Sequence, residues 1–126
     1  MLDHIGIAVS DYTQSKQFYA RALSPLGIDV VMEVTAEQTG GHPACGLGSD
    51  GKPYFWISPG KVARTHVAFA ARTRRDVDSF YKMAVAAGGR DNGAPGLRPH
   101  YHANYYGAFV LDPDGHNIEA VCHAPG

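Results

Sequence analysis

An internal repeat constrains this chain more than any other feature. The segment Leu2–Tyr19 reads LDHIGIAVSDYTQSKQFY, and the segment Arg64–Tyr81 reads RTHVAFAARTRRDVDSFY. The offset is constant, because 66 − 4, 80 − 18 and 81 − 19 all equal 62 for a histidine, a phenylalanine and a tyrosine. Two copies of one pattern predict a duplicated module. We therefore expect two similar folding units, each with a histidine near its start.

Each repeat begins with the alternation of a half-buried strand. In Leu2–Val9 the bulky residues share one face, and His4 shares the other with glycine and alanine. In Thr65–Ala71, His66 likewise shares one face of the strand with alanines. Side chains alternate between the two faces of a strand. Both histidines should therefore point into the space above a face of small residues.

The rest of the chain predicts strand–helix–strand–strand–strand in each half. The first half has strands at Leu2–Val9, Ile28–Ala36, His42–Gly48 and Tyr54–Ser58, with a helix that Asp11 caps and that runs to about Leu23. The second half has strands at Thr65–Ala71, Tyr105–Leu111 and Asn117–Cys122, with a helix that Thr73 caps. Glycines and prolines make Arg90–Asn104 mostly loop, with room for one short strand.

These elements predict an α+β fold of two tandem βαβββ modules whose mixed sheets surround a metal-binding cleft. We expect one domain over residues 1–126, with module 1 at about 1–60 and module 2 at about 64–124. In this arrangement the sheets would meet and bring His4 and His66 together.

Composition excludes several classes of partner. A net charge of −1 and a pI of about 6.6 give no electrostatic reason to bind nucleic acid or an anionic membrane. No apolar run approaches the length of about 18 residues that is needed to span a bilayer. Cys45 and Cys122 form no CxxC pair, which favours a reduced, cytoplasmic chain. The expected partner is a small-molecule substrate.

A third residue joins the two histidines as a candidate metal ligand. Glu119 alternates with Ile118 and Ala120 in the last strand, so it should point to the face opposite those apolar residues. With His4 and His66 it makes a set of two histidines and one carboxylate, which leaves coordination positions open. Structural, hydrogen-bonded histidines and a surface glutamate remain the alternative interpretation.

The duplication, the strand histidines, the Phe-Tyr pairs and the segment FVLDPDGHNIEA resemble the vicinal oxygen chelate superfamily. It includes glyoxalase I, extradiol dioxygenases, fosfomycin-modifying transferases and bleomycin-binding proteins. The resemblance implies one divalent metal ion (Fe, Mn, Ni or Zn), held by His4, His66 and Glu119, that binds two neighbouring substrate oxygens as a Lewis acid. It also implies a homodimer.

The chain departs from each individual member of that superfamily. Trp56 or Tyr54 stands where glyoxalase I enzymes carry a fourth-strand carboxylate or amide ligand. Phe109 stands ten residues before the glutamate, where dioxygenases carry an acid–base tyrosine. The segment 99–104 replaces the basic, glycine-rich loop of the fosfomycin enzymes. No single activity is therefore transferred intact.

The sequence thus predicts a metal-dependent lyase, isomerase or dioxygenase that acts on a small oxygenated substrate. Glu119 and His102 are the predicted catalytic residues, and Trp56, Tyr105 and Phe109 are the predicted pocket wall. The alternatives are a bleomycin-resistance-type protein that sequesters an aromatic small molecule without chemistry, and a fosfomycin-transferase-like enzyme.

Overall fold

The structure, a computed structural model, describes residues 1–126 and shows the duplication directly. Its strands are β1 Ile5–Val9, β2 Asp29–Val34, β3 Ala44–Ser49, β4 Lys52–Pro59, β5 His66–Ala70, β6 Arg90–Leu97, β7 Tyr106–Leu111 and β8 Asn117–Cys122. Its α-helices are α1 Tyr12–Ala22, α2 Ala36–Thr39 and α3 Arg74–Ala86. The sheet orders β1-β4-β3-β2 and β5-β8-β7-β6 are the same order displaced by four strands. The predicted α+β fold with two mixed sheets is confirmed.

The two long helices begin where the sequence predicts. The Asp11 side chain accepts a hydrogen bond from the Gln14 backbone N–H, and Thr73 accepts one from the Asp76 N–H. Each bond satisfies a donor that the first helical turn leaves free. No helix in the chain combines the length and the apolar character needed to cross a membrane.

Two predicted boundaries were wrong. The predicted strand Ile28–Ala36 ends at Val34, because Thr35 and Gln38 form a capping box that starts the short helix α2. Most of the predicted loop Arg90–Asn104 is strand β6, which pairs antiparallel with β7. β6 lies at the sheet edge, where proline and glycine are tolerated because only one side of the strand is paired.

One hydrophobic core runs through both modules. It contains the bulky residues of β1 and β5 together with apolar residues of α1 and α3. The Phe55 and Phe69 rings, one from each module, meet edge to face with centroids 5.1 Å apart. Tyr19 packs on Phe55 in the same way. The small-residue faces of β1 and β5 are left open, as their burial patterns show.

The turn Asp112–Gly115 and His116 after it join the second module to the first. The buried Asp112 carboxylate accepts a 2.5 Å hydrogen bond from the Tyr19 hydroxyl and further bonds from the Asp114 and His116 backbone N–H groups. The Asp114 carboxylate accepts hydrogen bonds from both the backbone N–H and the hydroxyl of Ser10. The bonds from Tyr19 and Ser10 cross the module boundary, and the first of them gives an acceptor to a fully buried hydroxyl.

His116 links the ends of the two edge strands, β1 and β5. Its Nδ1 accepts a hydrogen bond from the Thr65 N–H at 3.0 Å, so its Nε2 carries the proton and donates to the Ala8 carbonyl at 2.9 Å. The C-terminal end of β1 therefore lies beside the N-terminal end of β5. Between the two unpaired edges is a groove of about 320 Å³ with mostly hydrophobic walls.

Candidate metal site and substrate pocket

The open face of the second sheet carries most of the predicted site. Ala68 and Phe109 are the strand partners of Glu119 on its two sides, so Phe109 and Glu119 share one face, and His66 shares it by alternation along β5. Tyr105 lies just before β7 and in phase with Phe109. Three neighbouring strands, β5, β8 and β7, therefore present these side chains together.

Glu119 is the centre of this arrangement. It is 1% exposed, and its Oε1 lies 2.8 Å from His66 Nε2. Its Oε2 accepts a hydrogen bond from the Tyr105 hydroxyl. The His66 side chain is 54% exposed, so the pair is buried at the carboxylate and open at the imidazole. A buried carboxylate needs partners for both oxygens, and here neither partner is a permanent cation.

Tyr105 orients the glutamate. Burial, together with the hydrogen bond to Glu119, raises the pKa of Tyr105 to about 12. The phenol therefore remains a protonated donor at neutral pH. Gly107 makes room for this contact, because a Cβ there would lie 3.1 Å from the Tyr105 ring and 3.4 Å from Glu119 Oε2. The sequence predicted Tyr105 only as pocket wall; its bond to Glu119 was not predicted.

A pocket of about 570 Å³ opens over the pair. Six residues line it, namely His66, His100, Tyr101, Tyr105, Phe109 and Glu119. Five of the six carry aromatic rings, so the pocket suits a planar molecule.

The predicted proton-transfer residue His102 is not among the pocket residues. Its ring packs against His123, and its Nδ1 accepts the Asn104 N–H. His100, from the same loop, lines the pocket instead.

His4 and Trp56 lie on the first sheet. Trp56 pairs with Gly6 and Gly46 on its two neighbouring strands, and its indole covers the face of Gly46. His4 shares this open face by alternation, is 61% exposed at its side chain and bonds to Asp3. The ligand atoms of His4, His66 and Glu119 are not all within 4.8 Å of one another in one chain.

The strand directions explain this separation. The Thr65 N–H and the Ala8 carbonyl both bond to the His116 ring, so they lie close together. His66 directly follows Thr65, whereas His4 is four residues before Ala8. Four residues of extended strand span about 13 Å. A single chain therefore supplies two of the three predicted ligands at one place.

One group of three residues does have ligand-type atoms within 4.8 Å of one another, formed by Asp112, Asp114 and His116. Both ring nitrogens of His116 are engaged in hydrogen bonds, so its one lone pair is already occupied by the Thr65 N–H. A metal ligand must offer a free lone pair, which His116 lacks in this arrangement. This cluster joins the modules and is a poor metal site.

The His66–Glu119 pair, by contrast, brings a nitrogen and an oxygen of metal-ligand type side by side. Their separation of 2.8 Å is that of an N–H···O hydrogen bond. Two ligand atoms of a tetrahedral zinc ion are about 3.4 Å apart, so the exposed imidazole would need to move by only about 0.6 Å to admit an ion in place of the shared proton. A neutral imidazole and a buried carboxylate are also the donor types that first-row divalent ions bind.

Replacing Tyr105 by phenylalanine should weaken divalent-ion binding about 10-fold, because a partner that orients a ligand contributes to affinity through it. Isothermal titration calorimetry with Zn²⁺ measures the change. The matched control is Tyr101→Phe, which removes an exposed pocket hydroxyl that is not bonded to Glu119. Equal affinities of Tyr105→Phe and the wild type for Zn²⁺ would show that the hydrogen bond from Tyr105 to Glu119 does not contribute to metal binding.

Comparisons with known proteins agree with this architecture. The family model described as the Glyoxalase/Bleomycin resistance protein/Dioxygenase superfamily matches residues 1–120. A comparison with curated protein sequences gives no significant match.

Solved structures are similar over nearly the whole chain. A glyoxalase/bleomycin resistance protein from Albidiferax ferrireducens T118 is 28% identical, with a TM-score of 0.79 and 99% of each chain covered. A glyoxalase/bleomycin resistance protein/dioxygenase family enzyme from Burkholderia phytofirmans PsJN is 20% identical, with a TM-score of 0.70 and coverages of 97% and 98%. A glyoxalase I variant from Zea mays is 21% identical, with a TM-score of 0.70; 95% of this chain aligns to 46% of that chain. The last two comparisons show the fold alone.

Proposed function

Because the chain belongs to the glyoxalase/bleomycin resistance protein/dioxygenase superfamily, we propose that it is a metal-dependent enzyme that acts on a small oxygenated substrate. His66 and Glu119 would hold the divalent ion, and the observation that supports this most is the 2.8 Å separation of their ligand atoms beneath an open pocket. When bound, such an ion polarises two neighbouring substrate oxygens as a Lewis acid.

The chain's own residues have separate tasks in this proposal. Tyr105 fixes Glu119 through Oε2, which leaves Oε1 directed toward His66. Phe109 and Tyr101 stack against the substrate body and exclude water from one side of it. His100 lines the same pocket and is exposed, so we propose it in place of His102 as the group that takes or gives a proton.

We further propose that His4 reaches the site from a second copy of the chain. The ring of His4 is exposed on one open sheet face, and the His66–Glu119 pair lies on the other. A twofold dimer that placed one open face over the other would repeat the contact and build two equal sites. Trp56 would then close each pocket from the partner's side.

The direct test is the Glu119→Gln variant, which keeps the shape of the side chain and removes its charge. We expect its affinity for Zn²⁺ or Mn²⁺ to fall at least about 100-fold, because a coordinating carboxylate is lost. Calorimetric titration measures this, and circular dichroism verifies the fold. The control Glu37→Gln changes an exposed helix residue away from the pocket and should bind metal as the wild type does.

Unchanged metal affinity in Glu119→Gln would overturn the assignment of Glu119 to the metal site.

The aromatic pocket wall also favours a second function, the sequestration of an aromatic compound without chemistry. Ligand binding that is unaffected by a chelator would support that second function.

A further inference from the structure

The loop over the pocket begins at an arginine that none of the roles above uses. The Arg98 backbone N–H donates to the Tyr105 carbonyl at 2.7 Å, and the His102 N–H donates back to the Arg98 carbonyl. Arg98 and Tyr105 thus close the base of the loop that carries His100 and Tyr101 into the pocket.

The guanidinium of Arg98 lies over a pocket residue. Its Cζ is 5.5 Å from the centroid of the Phe109 ring, within the range of a cation–π contact. Its positive charge also acts on the Tyr105 hydroxyl and opposes the increase in the pKa of that group. The charge is therefore close to the Tyr105–Glu119 pair.

Two glycines of β6 form the slot in which this guanidinium lies. A Cβ at Gly93 would be 3.3 Å from Arg98 Nη2 and 2.9 Å from the Phe109 ring. A Cβ at Gly96 would be 3.1 Å from Arg98 Nη1. Side chains at either position would push the guanidinium away from the aromatic ring.

The charge of Arg98 has no counter-ion in the chain. Its guanidinium donates one hydrogen bond, from Nη2 to the Ala94 carbonyl at 2.8 Å, and it forms no ion pair with any carboxylate. A guanidinium has five N–H donors arranged to bind a carboxylate with two parallel bonds. Most of that capacity is unused beside the Phe109 ring, next to the six residues that line the pocket.

We propose that Arg98 binds a carboxylate on the substrate, and that the substrate is an aromatic acid. The aromatic wall would pack against the ring, and the guanidinium would donate hydrogen bonds to the carboxylate, while oxygens on the ring would face the metal site of the proposed function. This inference rests on the proposed function for the position of the oxygens. The role of Arg98 itself depends only on the pocket and its unpaired charge.

The test compares catechol with two of its ring carboxylates, protocatechuate and the isomer whose carboxylate adjoins the diol. Calorimetric titrations use the full chain with and without Zn²⁺. We expect the wild type to bind at least one acid about tenfold more tightly than catechol, the gain expected for a charge-assisted bidentate contact. Arg98→Gln should lose this preference, with its affinity for catechol unchanged.

Two further variants keep the result interpretable. Arg98→Lys retains the charge without the planar fork and should keep part of the preference. Arg90→Gln removes an exposed arginine at the other end of β6 and should behave as the wild type does. Thermal unfolding confirms that each variant is folded.

The outcomes separate this inference from the proposed function. The inference would be overturned if the preference for the acid survived in Arg98→Gln. It would also be overturned if the wild type bound the acids and catechol equally, or bound none of the three. An Arg98-dependent preference that does not respond to Zn²⁺ would support it and count against the metal site.

Discussion

Replacing Asp112 by alanine should lower the free energy of unfolding by about 3 kcal/mol, as expected when a buried charged acceptor is removed and its donors are left unpaired. Asp112 is 1% exposed and accepts hydrogen bonds from the Tyr19 hydroxyl and from two backbone N–H groups of its own turn. Tyr19 is itself completely buried, and its hydroxyl would lose its only acceptor within the protein. The variant should also loosen the contact between the modules.

Urea unfolding monitored by circular dichroism measures this effect. The matched control is Asp29→Ala, an exposed aspartate at the start of β2, which should change the free energy by less than about 0.5 kcal/mol. Tyr19→Phe removes the donor instead of the acceptor and should be less destabilising, because no buried charge changes. A free energy of unfolding for Asp112→Ala within about 1 kcal/mol of the wild type would contradict the proposed role of the turn.

Two variants that each lack one proposed metal ligand should restore a metal site when they are combined in one dimer. His4→Ala and Glu119→Ala should each bind no ion tightly as homodimers, because every site lacks one ligand. In a heterodimer, the first chain's intact His66 and Glu119 would meet the second chain's intact His4. Co-expression with two different affinity tags isolates that heterodimer.

Metal analysis of the purified heterodimer should give about one ion per dimer, half of the wild-type content, because a twofold arrangement has two equal sites and one is intact. The matched control pairs His4→Ala with Glu37→Ala, and it should also contain one complete site. If both ligands belonged to the same chain, the heterodimer of His4→Ala and Glu119→Ala would bind none. That result would overturn the assignment of His4 to the partner.

The parts of the fold that local pattern determines were predictable. Alternation identified β1 and β5, and the caps at Asp11 and Thr73 marked the helix starts. β6 was predicted as mostly loop with room for one short strand, because its glycines and Pro95 indicate a loop. Its pairing with β7 is a long-range effect that a local pattern does not contain.

The site was predictable only in part, for a related reason. Strand alternation was enough to place Glu119 and His66 on one face. The bond from Tyr105 to Glu119 depends on how a loop meets a strand, and the link from Asp112 to Tyr19 joins residues 93 positions apart. The spacing of residues along a short stretch of sequence indicates neither contact. The proposed position of His4, at the site of a second copy, depends on chain pairing, which one sequence does not specify.

The most direct test of this account is a crystal structure of the metal-loaded protein with anomalous diffraction at the metal edge. The account predicts one ion per chain, bound by His66 Nε2 and Glu119 Oε1 at about 2.0–2.2 Å, with His4 of a second copy as the third protein ligand. An ion bound at Asp112, Asp114 and His116, or the absence of any ion beside Glu119, would contradict it.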